Sequence, residues 1–270
     1  MADTIRPRAT AIAARPRRRS ALVALAFSTL LSDTPMSAAT GQTEPAAALA
    51  VDVAISQAIV EADGTPMRPS TEPTIFRLER VHDASGWLTV LTYPATPAGL
   101  AHRAKTNPLD GARIEYADGA AHPHVYDKDG RLNTRLSGES DGPGLPVGSG
   151  AERWVDTLLA KPHRRDERRR ALTREYGPPA SRTASHDRYL SRDGDVEEEV
   201  LAEPRSGIVL QVTRSRGGVL EARTTFEYER LSDGTLFRRK TQSEEVLDGP
   251  HRRRSVCTIE LSNLTIGTGR

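Results

Sequence analysis

The sequence predicts an α+β fold: a curved antiparallel β-sheet, half-barrel-like in its meander, with two short helices packed on one face. Three observations carry this. First, residues 182–266 alternate apolar and polar side chains in successive runs; in the clearest, Leu220, Ala222, Thr224, Phe226 and Tyr228 point one way and Glu221, Arg223, Thr225, Glu227 and Glu229 the other. Alternation at period two marks a strand with one face on a core and one in water. Second, the later runs are separated by Gly217-Gly218, Asp233-Gly234 and Asp248-Gly249-Pro250, the short turns that link antiparallel neighbours. Third, two helix-like segments precede the meander. Such an order segregates helices to one face of a twisted sheet, whose inner side becomes a groove they can partly cover.

Residues 1–39 read as an export signal. Arg15, Arg17, Arg18 and Arg19 precede an apolar run at 21–27 ending at Leu30-Leu31, and Ser37-Ala38-Ala39 supplies a small-x-small cleavage site near Ala39. The run is too short for a bilayer core, which takes about 20 residues, and Asp33 and Pro35 follow closely. An uncleaved membrane anchor is the alternative; no cysteine follows the run to carry a lipid. The predicted location is periplasmic or extracellular. The segment holds six Arg and two Asp, so its removal takes the formal charge from +2 to −2. The basic balance of the whole chain therefore belongs to the signal and gives no support to nucleic-acid binding.

Residues 40–48 form an Ala/Pro-rich leader. In the strand-rich part at 49–136, Leu49, Val51, Val53 and Ile55 alternate as a first strand, and strands follow at 75–81, 87–93, 112–116, 124–128 and 131–136. Pro66, Pro69 and Pro73 mark a loop between the first two, and Asp118-Gly119 and Asp129-Gly130 are turns. Gly138, Gly142, Pro143, Gly144, Pro146, Gly148 and Gly150 make 137–150 a linker. From 151 to 270 come the helix pair and the meander; the sequence leaves open whether 49–270 is one domain. Trp154, Val155, Leu158 and Leu159 form the apolar stripe of the first helix, and a second runs from about Arg164 to Tyr176, stopped by Gly177-Pro178-Pro179.

The meander strands are 182–190, 196–203, 207–214, 219–230, 235–246 and 252–266. In the last, Cys257, Ile259 and Leu261 keep odd phase but Leu264 and Ile266 are even, which predicts a one-residue bulge near Ser262-Asn263. The sole Cys257 follows the apolar phase and reads as a buried, inert thiol. Glu197, Glu198 and Glu199 span both faces of one strand; this reads as an edge strand, the alternative being a wet inner face.

No motif carries specific chemistry, and no cofactor is implied. His122 and His124, near Asp127 and Asp129, are the nearest approach to a metal cluster, but the run lacks the later ligands of a calcium loop and reads first as a polar hairpin tip. Ser185-His186-Asp187 spells a triad, yet neighbours on a strand face opposite ways and cannot relay a proton. Arg164, Arg165, Arg168 and Arg169 lie in a basic helical run that reads as a solvated face, with contact to anionic lipid head groups as the alternative. Trp87, Trp154, Leu210, Val212, Phe226 and Tyr228 are the candidate ligand-binding residues, against the plainer reading that they pack a core.

The export signal, the helix pair at 151–176 and the meander together resemble the outer-membrane lipoprotein carrier family, notably in Gly207-Ile208-Val209-Leu210-Gln211-Val212, Thr225-Phe226-Glu227-Tyr228 and Ile259-Glu260-Leu261-Ser262-Asn263-Leu264. The resemblance implies an exported half-barrel whose curved sheet wraps helices over an acyl-chain cavity; it matches no functional residue, so none is carried over. The linker at 137–150 and the low aromatic content depart from that pattern. The predicted function is a non-enzymatic exported binding protein taking an apolar ligand, a lipid or acylated polypeptide. The alternatives are a structural or partner-binding envelope protein with a filled core, and a secreted hydrolase whose site the sequence hides.

Overall fold

The computed structural model describes residues 48–61, 63–67, 73–83, 86–97, 109–117, 120, 122–138, 158–247 and 253–267. The expected export signal at 1–39, the expected leader up to residue 47, the expected linker from 139, Trp154 with most of the helix expected there, and the turns expected at Asp118-Gly119 and Asp248-Gly249-Pro250 lie outside these residues.

Among the described residues, thirteen strands form one antiparallel sheet, accompanied by two short α-helices. The strands are β1 (Ala48–Val60), β2 (Thr74–Asp83), β3 (Gly86–Thr92), β4 (Arg113–Ala117), β5 (His124–Tyr126), β6 (Leu159–Ala160), β7 (Ser181–Arg182), β8 (Asp187–Asp193), β9 (Val196–Ala202), β10 (Val209–Arg216), β11 (Val219–Arg230), β12 (Leu236–Val246) and β13 (Arg254–Gly267). The helices are α1 (Thr134–Ser137) and α2 (Arg165–Tyr176). Strand order is β5-β4-β3-β2-β1-β13-β12-β11-β10-β9-β8-β7, with β6 pairing the start of β12. The architecture is thus the α+β curved sheet that the alternation predicts. The strand-rich part and the meander meet where β1 pairs with β13, setting Ile55 opposite Ile259 and Val53 opposite Leu261.

Two clusters of apolar side chains cover the inner face. The larger joins Leu49, Val51, Val53 and Ile55 of β1 to Phe76, Leu78, Leu91, Ile114, Val125, Leu158, Ile259 and Leu261. The smaller seats Leu172 and Tyr176 of α2 on Tyr189, Val200 and Ala202, so this helix packs on the same inner side. The outer face is zipped by cross-strand ion pairs: Arg192 Nη2 to Glu197 at 2.6 Å, Arg254 to Glu244 at 2.8 Å, and Lys240 to Glu260 at 3.5 Å. Exposed pairs of this kind contribute little each but satisfy a strongly charged surface.

Bulges bend the sheet. On β13 the register slips between Ser262 and Thr265, where the phase change predicts it, and Asn263 takes a left-handed φ of 53°. Its amide donates to Asp52 Oδ2 at 2.7 Å, while Arg77 donates to Asp52 Oδ1 at 2.9 Å. These bonds hold the Asp52 carboxyl below its ordinary pKa, the Asn263 bond first among the causes. On β12, Glu227 faces Lys240 but Tyr228 faces Arg238, which leaves Arg239 as the extra residue.

Four sequence readings are corrected. The strand expected at 131–136 is a single bridge at Leu132 followed by α1. Asn133 accepts from the Leu136 N–H, Gly138 closes the turn at φ 77°, and buried Ser137 accepts from the Val125 N–H at 3.0 Å. The strand expected at 182–190 breaks into β7 and β8, because Thr183 Oγ1 accepts from the Ser185 and His186 N–H groups and makes a turn. Leu159 is not helical but pairs with Phe237 in β6. Finally, β9 is not an edge: it pairs with both β8 and β10, and its inward carboxylate, Glu198, accepts a hydrogen bond from Tyr176 Oη.

Two measurements test this packing. Leu78→Ala, at a fully buried position, should cost about 2–5 kcal/mol in urea denaturation, whereas Ile75→Ala on the outer face should change stability by less than about 0.5 kcal/mol. Because the Asp52 pKa is depressed in the folded state, its contribution is present above the usual carboxylate range and lost as pH falls through the folded value. Asp52→Asn should therefore lower the melting temperature at neutral pH, and the gap to wild type should close in acid.

Candidate functional site

The register carries one continuous inner face across the later strands. Ile259 lies opposite Thr241, Thr241 opposite Phe226, Thr224 opposite Val212, Val212 opposite Val200, and Val200 opposite Tyr189. Phe226, Thr241 and Tyr189 are buried along it. Between the two apolar clusters, however, Val212, Thr224 and Tyr228 share this face and are only half-buried, and so is Leu210, the extra residue of a bulge on β10. This strip, over β10, β11 and β12, is the candidate site.

The β12 bulge gives the strip its chemistry. Counting back from Thr241 by strict alternation would turn Arg239 inward; the extra residue turns Arg238 inward instead. Arg238 is 6% exposed, with its guanidinium carbon 4.6 Å from the centre of the Phe226 ring and 5.9 Å from that of Tyr228. Arg239 points outward to Glu227 at 3.5 Å. A guanidinium stacked on aromatic faces gains a cation–π interaction, strongest where water is excluded.

A second arginine stands close by. Arg168, Leu172 and Tyr176 recur every fourth residue of α2 and are all buried, so this arginine occupies the helix's core-facing stripe. Its Nε donates to the Ser206 carbonyl at 3.1 Å and its Nη1 to the Lys161 carbonyl at 2.9 Å, clamping α2 to the β9–β10 turn and to the preceding chain. Burial holds its pKa below the ordinary arginine value, opposed by the nearby Tyr228 phenol. Gly207 permits the close approach: at φ 69°, a Cβ there would come within 2.7 Å of Arg169 Cγ.

Of the sequence candidates, Leu210, Val212, Phe226 and Tyr228 come together on this strip. Trp87 does not. It lies on β3, five inter-strand steps of about 4.8 Å from β11, roughly 24 Å along the sheet, where Arg80 stacks on its ring at 5.1 Å and His82 meets it edge-on at 5.0 Å. Trp154 lies outside the described residues. The basic helical face is corrected at Arg168, which points inward and cannot meet a membrane. Arg164 is paired to Glu167 at 2.9 Å, and Arg169 approaches Asp187 at 3.9 Å. A shallow open groove of about 560 Å³ along α2 is lined by Asp166, Arg169, Arg170, Thr173 and Arg174; it is too open to enclose an apolar ligand.

His122 and His124 are exposed beside α1 and on β5, and among the described residues no three His, Cys, Asp or Glu side chains gather as a metal site. Ser185 Oγ and His186 Nδ1 are 3.0 Å apart, but in an exposed turn shared with Thr183. Asp187 instead is buried near Arg169 and Arg182, so no triad relay forms. Cys257 is half-buried against the larger cluster, and burial raises its thiol pKa, which suits an inert role. Arg238 is not among the residues the sequence singles out, and Arg168 reads there as part of a solvated basic face. The four-residue spacing of Arg168 from Leu172 and Tyr176 was the one available signal; the bulge that turns Arg238 has none.

Fold and site together define an open, antiparallel curved-sheet protein with a helix on its inner face. The chain is similar to a LolA superfamily protein from Nitrosomonas europaea at 12% identity, over 83% of this chain and 88% of that one, with a TM-score of 0.35. It is also similar to MucB, solved in complex with the periplasmic part of MucA, at 9% identity over 88% and 94% of the two chains, with a TM-score of 0.21. No protein-family model matches the sequence, and no curated protein matches it.

The clamp role of Arg168 is testable. Arg168→Met should remove the donor to the Ser206 carbonyl and one of the two donors to the Lys161 carbonyl, which keeps the Arg164 N–H, and cost about 1–3 kcal/mol in chemical denaturation, while Arg165→Met, at an exposed position, should stay within about 0.5 kcal/mol of wild type.

Proposed function

We propose that the chain is an exported, non-enzymatic binding protein that takes an apolar ligand, a lipid or an acylated polypeptide, on the inner face of its curved sheet. The observation behind this reading is the change of burial along that face. Val51, Leu78, Ile114 and Val125 are fully buried at one end and Tyr189 and Val200 at the other, yet Leu210, Val212, Thr224 and Tyr228 between them stay half-buried. A ligand tail laid there would remove apolar surface from water at about 25 cal/mol per Å². Exposed Arg165, Arg170 and Arg174 on α2 could add contact with anionic head groups at a membrane surface.

The second reading is a partner-binding envelope protein with a filled interior. The larger cluster favours it, since the apolar side chains on that part of the inner face are already buried against one another. Solvent extraction of freshly purified protein followed by mass spectrometry separates the two. Co-purifying lipid near one equivalent per chain is expected; a clean extract from folded protein would favour the filled interior.

A further inference from the structure

The half-buried strip holds a charge that the protein itself does not neutralise. Arg238 is nine-tenths buried, its Nε–H is buried and without a hydrogen-bond partner, and among the described residues no carboxylate pairs with it. Arginine does not shed its proton at any accessible pH, so burial cannot be relieved by deprotonation. The Phe226 and Tyr228 rings offset part of the cost through cation–π contact. They leave the buried Nε–H without an acceptor, and a buried polar donor of a charged group left without a hydrogen bond is unfavourable.

Arg168 adds a second unfilled donor. Its Nε and Nη1 are committed to backbone carbonyls, but its Nη2 is buried without a partner. Tyr228 is close to both arginines: its ring faces Arg238, and its phenol acts on the charge of Arg168. The outer face behaves differently, its arginines and lysine meeting glutamates across the strands. Guanidinium groups with an unfilled buried donor beside an apolar strip make a place for an anion attached to an apolar body. Carboxylate and phosphate are the groups whose geometry matches a guanidinium fork.

We propose that Arg238, assisted by Arg168 and Tyr228, receives the carboxylate or phosphate head of an anionic amphiphile whose tail lies along Val212, Thr224 and Phe226. This rests on the apolar-ligand reading above and narrows it to ligands carrying a single anionic head. Neutral lipids of equal chain length would leave the guanidinium uncompensated.

The experiment is calorimetric titration of the full chain, below micelle-forming concentrations, with dodecanoate, dodecyl phosphate, dodecanol and inorganic phosphate. The two anionic amphiphiles should bind about tenfold or more tighter than dodecanol, the discrimination expected when one charge-assisted hydrogen-bond pair is gained. Arg238→Met should abolish that preference while keeping dodecanol binding, and Arg238→Lys, which keeps the charge but loses the fork, should retain part of it. Equal affinity of wild type for dodecanol and dodecanoate would overturn the anion proposal alone and leave the apolar-ligand reading standing. Failure of every twelve-carbon probe would overturn both. Inorganic phosphate binding as tightly as dodecyl phosphate would show a free-anion site and overturn the amphiphile. The wild-type comparison decides the matter even if the Met variant does not fold.

Discussion

The pairing of β1 with β13 is the contact on which the rest of the structure depends. It turns two shorter sheets into one and removes two edges that would otherwise offer unpaired N–H and C=O groups. It also fuses their inner faces: Val53 and Ile55 meet Leu261 and Ile259 across the seam, and the larger apolar cluster draws residues from both sides. Asp52 sits on the seam at the β13 bulge, where Asn263 and Arg77 both donate to it. The bend of the sheet and the joining of its halves thus share one polar lock.

Charge is sorted by face. Arginines and glutamates directed outward meet each other across strands, an arrangement that tolerates substitution because each pair is weak. Those directed inward are few, and each has a distinct environment. Glu198 accepts from Tyr176, Arg80 donates to Thr89 and stacks on Trp87, and Arg168 clamps backbone carbonyls. Arg238 has aromatic faces instead of acceptors. A polar group inside an apolar face is costly unless satisfied, so its partner, or the lack of one, is informative about the site in a way that an outward pair is not.

Local rules made the strands legible and the long-range arrangement illegible. Alternation and Gly turns placed β9 to β13 closely, and the phase slip from Leu261 to Leu264 located a bulge that the register contains. The adjacency of β1 and β13 has no local signature, since no turn links them. The Glu197-Glu198-Glu199 run suggested an edge because a strand's neighbours cannot be read from its own residues. At 131–136 the capping by Asn133 outweighed an apparent alternation. Within the site, the apolar members were legible because they follow the strand period. Arg238 was not, since strict alternation back from Thr241 turns Arg239 inward until the extra residue there is known.

The seam also governs the order in which the molecule can assemble. Gln57 and Ser255, bonded across it, stand 198 positions apart, so ribosomal synthesis delivers the first ribbon long before its mate. Until then one flank of that ribbon has nothing to zip against, and closing so wide a loop makes the final docking slow. A nascent chain held open in this manner needs shelter from self-association for as long as the wait lasts.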